Sequence, residues 1–222
     1  MRLENNIPYK LYSRLNIKNI QDALTSLDDQ TWHVYTKRQT DPFSPHKETT
    51  SIIMQYCFGE PEVDDKFLTM YPVYRSEKLP IDSRYRKYST KQSFLDDFRN
   101  IEEKFIDADL NYYTKILVRE LEKQFDGISG LVVYAKLPTG KNIMQHKDPG
   151  FYLSVVHRLH IPIFTNDKCY FKLDDNVVNM KEGYLYEINN LMEHSAANEG
   201  DCDRIHLIVD IIPNSTLQHI GT

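Results

Sequence analysis

Apolar residues along the first third of the chain change period several times. Tyr9 to Leu15 alternates as a short strand does, and Ile20, Ala23, Leu24 and Leu27 fall at helical spacing within Ile17 to Leu27. Trp32-His33-Val34-Tyr35 returns to an extended pattern, and Thr50 to Phe58 is a second candidate strand. Between Gly59 and Tyr88, prolines, aspartates and scattered aromatics show no clean period, which predicts an irregular loop that could border a pocket. Two helices are predicted next. Phe94, Phe98, Ile101 and Phe105 recur at helical spacing behind Ser93, and Leu110 to Phe125 repeats the pattern behind Asp109, with Gly127 and Gly130 as its stop.

From there to Pro213 the character changes. Leu131 to Leu137, Tyr152 to Ile163, Cys169 to Leu173, Tyr184 to Ile188 and Arg204 to Ile212 are short apolar or alternating runs. Turn clusters separate them: Pro-Thr-Gly, Thr-Asn-Asp, Asp-Asp-Asn, Lys-Glu-Gly and Glu-Gly-Asp. Several short strands without a helical period between them predict an antiparallel sandwich or a jelly-roll barrel, with the helices packed outside. No internal repeat or linker interrupts this, so the expectation is one domain over 1–222, with a mixed flanking region over 1–129 and a strand-rich core over 130–213.

Composition narrows the class without naming a function. The 222 residues are 41% hydrophobic and 27% charged, which is globular usage rather than the signature of disorder. The net charge of -5 is spread along the chain, and no stripe of lysine and arginine interleaves with aromatics, so a nucleic-acid partner is not expected. Cys57, Cys169 and Cys202 form an odd set at spacings that suit neither a disulfide framework nor a zinc site, which fits a reducing compartment. The first residues lack a secretory apolar stretch, and nowhere do about 18 apolar residues run together. The expected location is cytoplasmic, without a membrane partner.

His146-Lys147-Asp148 places two potential metal ligands at i and i+2. On extended backbone such residues lie roughly 6.6 Å apart on one face, within reach of one ion. His194 follows where the strand pattern brings the chain back across the sheet. Two imidazoles and one carboxylate leave three positions of an octahedral metal open, as a redox iron needs to bind a chelating co-substrate and oxygen together. The plain alternative is that His-x-Asp is a chance turn or a satisfied polar pair. Arg204 opens the apolar strand Arg204 to Asp210. Such a residue can snorkel to solvent, but its planar fork also suits a carboxylate inside a barrel.

Taken together, His146-x-Asp148, His194 and Arg204 resemble the aspartyl/asparaginyl β-hydroxylase family of Fe(II) and 2-oxoglutarate oxygenases, including its bacterial free-proline hydroxylase branch. Leu137-Pro138-Thr139-Gly140 and the approach to His146 resemble the family's strand and glycine turn. Arg158-Leu159-His160 resembles its Arg-x-His strand, and Lys181-Glu182-Gly183 with Tyr184 to Glu187 its turn and strand before the second histidine. Trp32 to Ile53, with Arg38, Gln39 and His46, is a weaker match, so the good likeness covers about Leu131 to Pro213.

The resemblance implies a double-stranded β-helix core, a cupin-like jelly roll, in a mainly β protein with flanking helices. It makes His146, Asp148 and His194 the iron ligands and Arg204 the anchor of the distal carboxylate of 2-oxoglutarate. Arg158 and His160 become groups near the co-substrate or substrate carboxylates. The implied reaction consumes dioxygen and hydroxylates an amino acid, free or in a peptide, at an unactivated carbon. Animal members lack the carboxylate that Asp148 supplies, which places this chain nearer the branch with a complete triad. Ala135 stands where some relatives carry a polar group that assists the co-substrate, and Tyr134 or Tyr186 could substitute. His157 and His206 are expected to be structural, and Lys147 and His46 receive no role. Two rival readings stand beside this one: a cupin-like protein that binds a metal or small acid without turnover, and a purely structural jelly roll.

Overall fold

The computed structural model describes residues 3–4, 6–57, 98–100, 107–148 and 151–217. Strand β1 (Tyr9–Arg14) leads into helix α1 (Lys18–Ser26), a 3-10 turn (Asp29–His33) and the single-turn helix α2 (Lys37–Thr40). Strands β2 (Thr50–Cys57) and β3 (Phe98–Asn100) precede the long helix α3 (Ala108–Gln124), then β4 (Gly127–Leu137) and β5 (Asn142–His146). A short helix α4 (Phe151–Val155) leads to β6 (His157–Phe164), β7 (Cys169–Leu173), β8 (Asn176–Val178), β9 (Tyr184–Ile188), β10 (His194–Asn198) and β11 (Arg204–Pro213), and α5 (Asn214–Leu217) ends the described chain.

Among the described residues the strands form two antiparallel sheets, ordered β1-β9-β6-β11-β4-β2-β3 and β5-β10-β7-β8. Strand alternation divides the larger sheet's side chains between two environments. On its outer face Leu159 and Ile161 of β6, Leu185 of β9 and Leu207 and Val209 of β11 share a core with Ile20 and Leu24 of α1 and Leu110, Leu117 and Leu121 of α3. On its inner face Leu137, Tyr186 and Ile188 meet Phe171, Leu173 and Ala196 of the smaller sheet. The architecture is the jelly roll that the sequence implies, with helices stacked outside the larger sheet. No helix among the described residues is long and apolar enough to cross a membrane.

Several elements differ from the sequence expectation. Trp32 to Tyr35 is not a strand: Asp28 accepts from the Gln30 amide at 2.9 Å, capping a 3-10 turn that buries Trp32. That local side-chain bond outweighs the β preference of the aromatic residues. The helix placed over Phe94 to Phe105 is contradicted at Phe98–Asn100, which pairs with Gln55 to Cys57 as a strand, because an open sheet edge overrides local periodicity. The rest of that segment and the loop from Gly59 to Tyr88 lie outside the described residues. Tyr152 to Ile163 is a strand only from His157. Before it, Tyr152, Leu153 and Val156 are buried on one side of a helical turn, and a short apolar run cannot distinguish the two states by period alone.

The cap of α3 is Asp107, whose carboxylate accepts from the Leu110 amide at 2.9 Å, and not Asp109. The helix ends through Asp126, at φ 47°, before Gly127 opens β4. Gly127 is needed there for a different reason from a helix stop: an added Cβ would lie 2.3 Å from the Ile212 carbonyl oxygen. Asp107→Ala should therefore cost about 1 kcal/mol in urea denaturation, whereas Asp109→Ala should cost only a few tenths. Equal losses for the two would contradict the cap assignment.

Candidate metal centre

β5 and β10 are neighbours in the smaller sheet, and His194 is the direct cross-strand partner of His146. That register sets the two imidazoles side by side, with ring centroids 4.2 Å apart. His194 also pairs with Leu173 of β7, so its strand is held on both sides. Asp148 comes just after β5, where its amide donates to the Asn190 carbonyl at 3.0 Å. Its carboxylate lies 3.6 Å from His146 Nε2 and 3.9 Å from His194 Nε2. One ligand atom from each of the three falls within 4.8 Å of the others.

The donor chemistry fits a divalent metal. His146 Nδ1 lies 2.7 Å from the Met144 carbonyl and His194 Nδ1 2.9 Å from the Met192 carbonyl. A carbonyl only accepts, so each imidazole carries its proton on Nδ1 and turns the lone pair of Nε2 inward. His146 Nε2 is buried and has no hydrogen-bond partner. Such an atom costs free energy unless something meets it, and a cation between the two rings would.

Buried charge is arranged unevenly around this centre. Arg158 of β6 donates from Nε and Nη2 to the two oxygens of Asp210 on β11, both at 2.8 Å, and its Nη1 donates to Asp148. Burial pushes the Asp148 carboxyl up, but Arg158 and then His194 and His146 outweigh it and hold the group well below the usual carboxylate range. Burial lowers Arg158, whereas Asp210 and Asp148 raise it well above its ordinary value. Arg204 has no such partner: it is 3% exposed, and no carboxylate among the described residues pairs with it. Burial lowers its pKa to about 10. Its guanidinium instead contacts His206 of the same strand face, and His206 lies against His160 of β6.

The six residues singled out from sequence are thus brought to one interior, with the metal ligands at one end of the smaller sheet and Arg158, His160 and Arg204 on the facing strands. From the sequence, Asp210 had no role, His206 was expected to be structural, and His46 belonged only to the weaker match over Trp32 to Ile53. For the first two a signal existed, because Arg204, His206 and Asp210 occupy even positions of a strand whose odd positions from Ile205 to Ile211 are apolar. All three are nonetheless buried, which marks a polar interior face. His46 gave no signal beyond that weaker match. Its ring stands edge-on to His146 at 4.8 Å, carried by a loop whose Pro45 carbonyl accepts from the Met144 amide. Lys147, between the ligands, is exposed. His157 is a buried partner of Glu187 at 2.7 Å, on the outer face of the larger sheet.

Burial and the Arg204 cation hold both His160 and His206 well below the ordinary value of 6.5, with Arg158 adding to the first and His160 to the second. Both are therefore neutral in the fold, while the unfolded chain protonates as pH falls past that value. Stability is fully present above 6.5 and is lost below it towards the folded values, by up to about 1.4 kcal/mol per pH unit for each histidine. The melting temperature of metal-free protein should thus fall between about pH 7 and about pH 5, and His160→Gln with His206→Gln should flatten the slope. Equal slopes in wild type and the double variant would contradict this.

The model of the aspartyl/asparaginyl beta-hydroxylase family matches residues 94–213, just over half of the chain. No curated protein matches the sequence. Similar solved structures include an oxidoreductase of the 2OG-Fe(II) oxygenase family from Burkholderia pseudomallei, at 9% identity over 74% of this chain and 66% of that one, with a TM-score of 0.39. The viral collagen prolyl hydroxylase of Paramecium Bursaria Chlorella virus-1, in complex with 2OG, is 13% identical over 51% of this chain and 75% of that one, with a TM-score of 0.34. A cupin domain from Bordetella pertussis is 18% identical over 40% of this chain and 86% of that one, with a TM-score of 0.31. The matched segment contains His146, Asp148, Arg158, His160, His194 and Arg204, and this chain belongs to the aspartyl/asparaginyl beta-hydroxylase family.

Proposed function

We propose that this chain is an Fe(II)- and 2-oxoglutarate-dependent dioxygenase that hydroxylates an amino acid, free or within a peptide, at an unactivated carbon. One observation carries the reading: His146 and His194 are cross-strand partners whose Nδ1 atoms are tied to backbone carbonyls, and His146 Nε2 is buried without a partner beside Asp148. Family membership supplies the reaction class. His146, Asp148 and His194 would hold the iron, leaving one face of it open for the co-substrate and dioxygen. When bound, the iron would activate dioxygen with 2-oxoglutarate as the sacrificial reductant, one oxygen atom leaving in succinate as carbon dioxide is lost and the other entering a C–H bond.

The chain's own groups bind and orient. Arg158 keeps Asp148 ionised and fixed while Asp210 holds Arg158 from behind, so in this reading Arg158 serves the centre through Asp148. Arg204 is the anchor for the distal carboxylate of 2-oxoglutarate, because a buried cation without a carboxylate is stabilised by an anion that reaches it. His160 stands between the two regions, its Nδ1 near His206 and its ring edge-on to Phe171, as a polar contact for the co-substrate.

Protein loaded anaerobically with Fe(II) and 2-oxoglutarate and screened with amino acids and peptides should, on admission of oxygen, release succinate and add one oxygen atom to a product. His194→Ala should abolish both. Arg204→Met should raise the 2-oxoglutarate requirement by roughly one to two orders of magnitude. Succinate release unchanged in both variants would overturn the assignment.

A further inference from the structure

His206 is 1% exposed on the polar inner face of β11, and the reading above gives it no task. Arg204 Nε donates to its Nε2 at 3.0 Å, and Arg204 Nη2 lies 2.8 Å from its Nδ1. A neutral imidazole has one acceptor nitrogen, so one of these contacts is a hydrogen bond at a time. In either tautomer the ring covers the same side of the guanidinium, the Nε/Nη2 edge. Residues 204 and 206 share a strand face, so this contact is built into β11 itself. On the far side of His206 stands His160, whose Nδ1 is 3.4 Å from His206 Nδ1. Phe171 packs on His160 from the smaller sheet at a ring distance of 5.4 Å, which backs the row Arg204-His206-His160 from across the interior.

A guanidinium can receive a carboxylate on either of two edges, Nε with Nη2 or Nη1 with Nη2, and the two place the carboxylate carbon in different positions. Here the first edge is already taken. Resting on the reading of Arg204 as the co-substrate anchor, we propose that His206 is a positioning residue which closes the Nε/Nη2 edge of Arg204, directs the distal carboxylate to the Nη1/Nη2 end, and so sets the length of 2-oxo diacid that the site accepts. The groups held at fixed ends are then the metal ligands His146, Asp148 and His194 on one side and a guanidinium of a single orientation on the other. A diacid one methylene shorter or longer than 2-oxoglutarate misses one end or the other. Without His206, Arg204 presents two edges and the span between the ends is no longer single-valued.

Anaerobic calorimetric titration of the Fe(II)-loaded protein with 2-oxoglutarate, oxaloacetate and 2-oxoadipate tests this without turnover. His206→Leu, which fills the space but accepts no hydrogen bond, should weaken 2-oxoglutarate binding roughly tenfold and shrink its preference over both homologues. His206→Gln, whose amide oxygen can accept from the same edge, should retain the wild-type preference and bind 2-oxoglutarate within about threefold of it. His206→Ala adds no bulk and carries the same expectation as the leucine, should that variant not fold. Wild-type preference in both the leucine and alanine variants would overturn the proposal, as would glutamine and leucine variants that lose affinity equally and in step with a fall in melting temperature. Arg204→Met separates the two levels. If it abolishes binding while the leucine and alanine variants behave as wild type, the anchor stands and His206 is only packing; if wild type itself binds none of the diacids, both fall.

Discussion

The site depends on one strand register. Because His194 lies directly opposite His146, two imidazoles from segments far apart in sequence meet at the end of the smaller sheet. A slip of one residue would turn one of them to the other face. The register is defended from several directions: β7 pairs with β10 along its length, Gln145 and Glu193 hydrogen-bond across the β5–β10 pair at 2.6 Å, and the Asp174 and Glu193 backbones are bonded at the start of β10. Asp148 joins the pair only because the Asn190 carbonyl, in the turn that leads to β10, receives its amide.

Charge balance explains the rest of the interior. Asp148, Arg158 and Asp210 form a buried chain of two carboxylates and one guanidinium, which leaves one negative charge facing the two imidazole lone pairs. A divalent cation complements that end. At the other end Arg204 is a cation flanked by neutral imidazoles. An anion complements it. Burying either charge alone is costly, so a ligand that is negative at both ends and chelates a metal at one of them satisfies the whole cavity at once.

Much of this was legible in the sequence. Short runs between turn clusters pointed to an antiparallel sandwich or a jelly-roll barrel and the family resemblance to the jelly roll, and β1, β2, β7, β9 and β11 lie where the sequence places them, within a residue or so. His146, Asp148, His194, Arg158, His160 and Arg204 were all named from spacing or resemblance, and all six face the same interior. What could not be read was contributed by distant partners. β10, with the sequence His-Ser-Ala-Ala-Asn, has almost no intrinsic strand preference and is a strand because β5 and β7 flank it. The strand at Phe98–Asn100 exists through its pairing with β2. Arg158 was expected near a ligand carboxylate, and its bond to Asp148 could be seen only once β6 and β11 were adjacent. The alternation of Arg204, His206 and Asp210 was present in the sequence, and its meaning as a polar interior face required knowing that both faces of β11 are covered.

The proposed function stands or falls with three side chains converging on one iron. X-ray absorption of the Fe(II)-loaded protein, with metal content measured on the same sample, tests it most directly. One iron per chain is expected, with two imidazole rings in its coordination sphere, falling to one ring in the His194→Ala variant. Failure to retain stoichiometric iron, or a spectrum unchanged by that substitution, would contradict it.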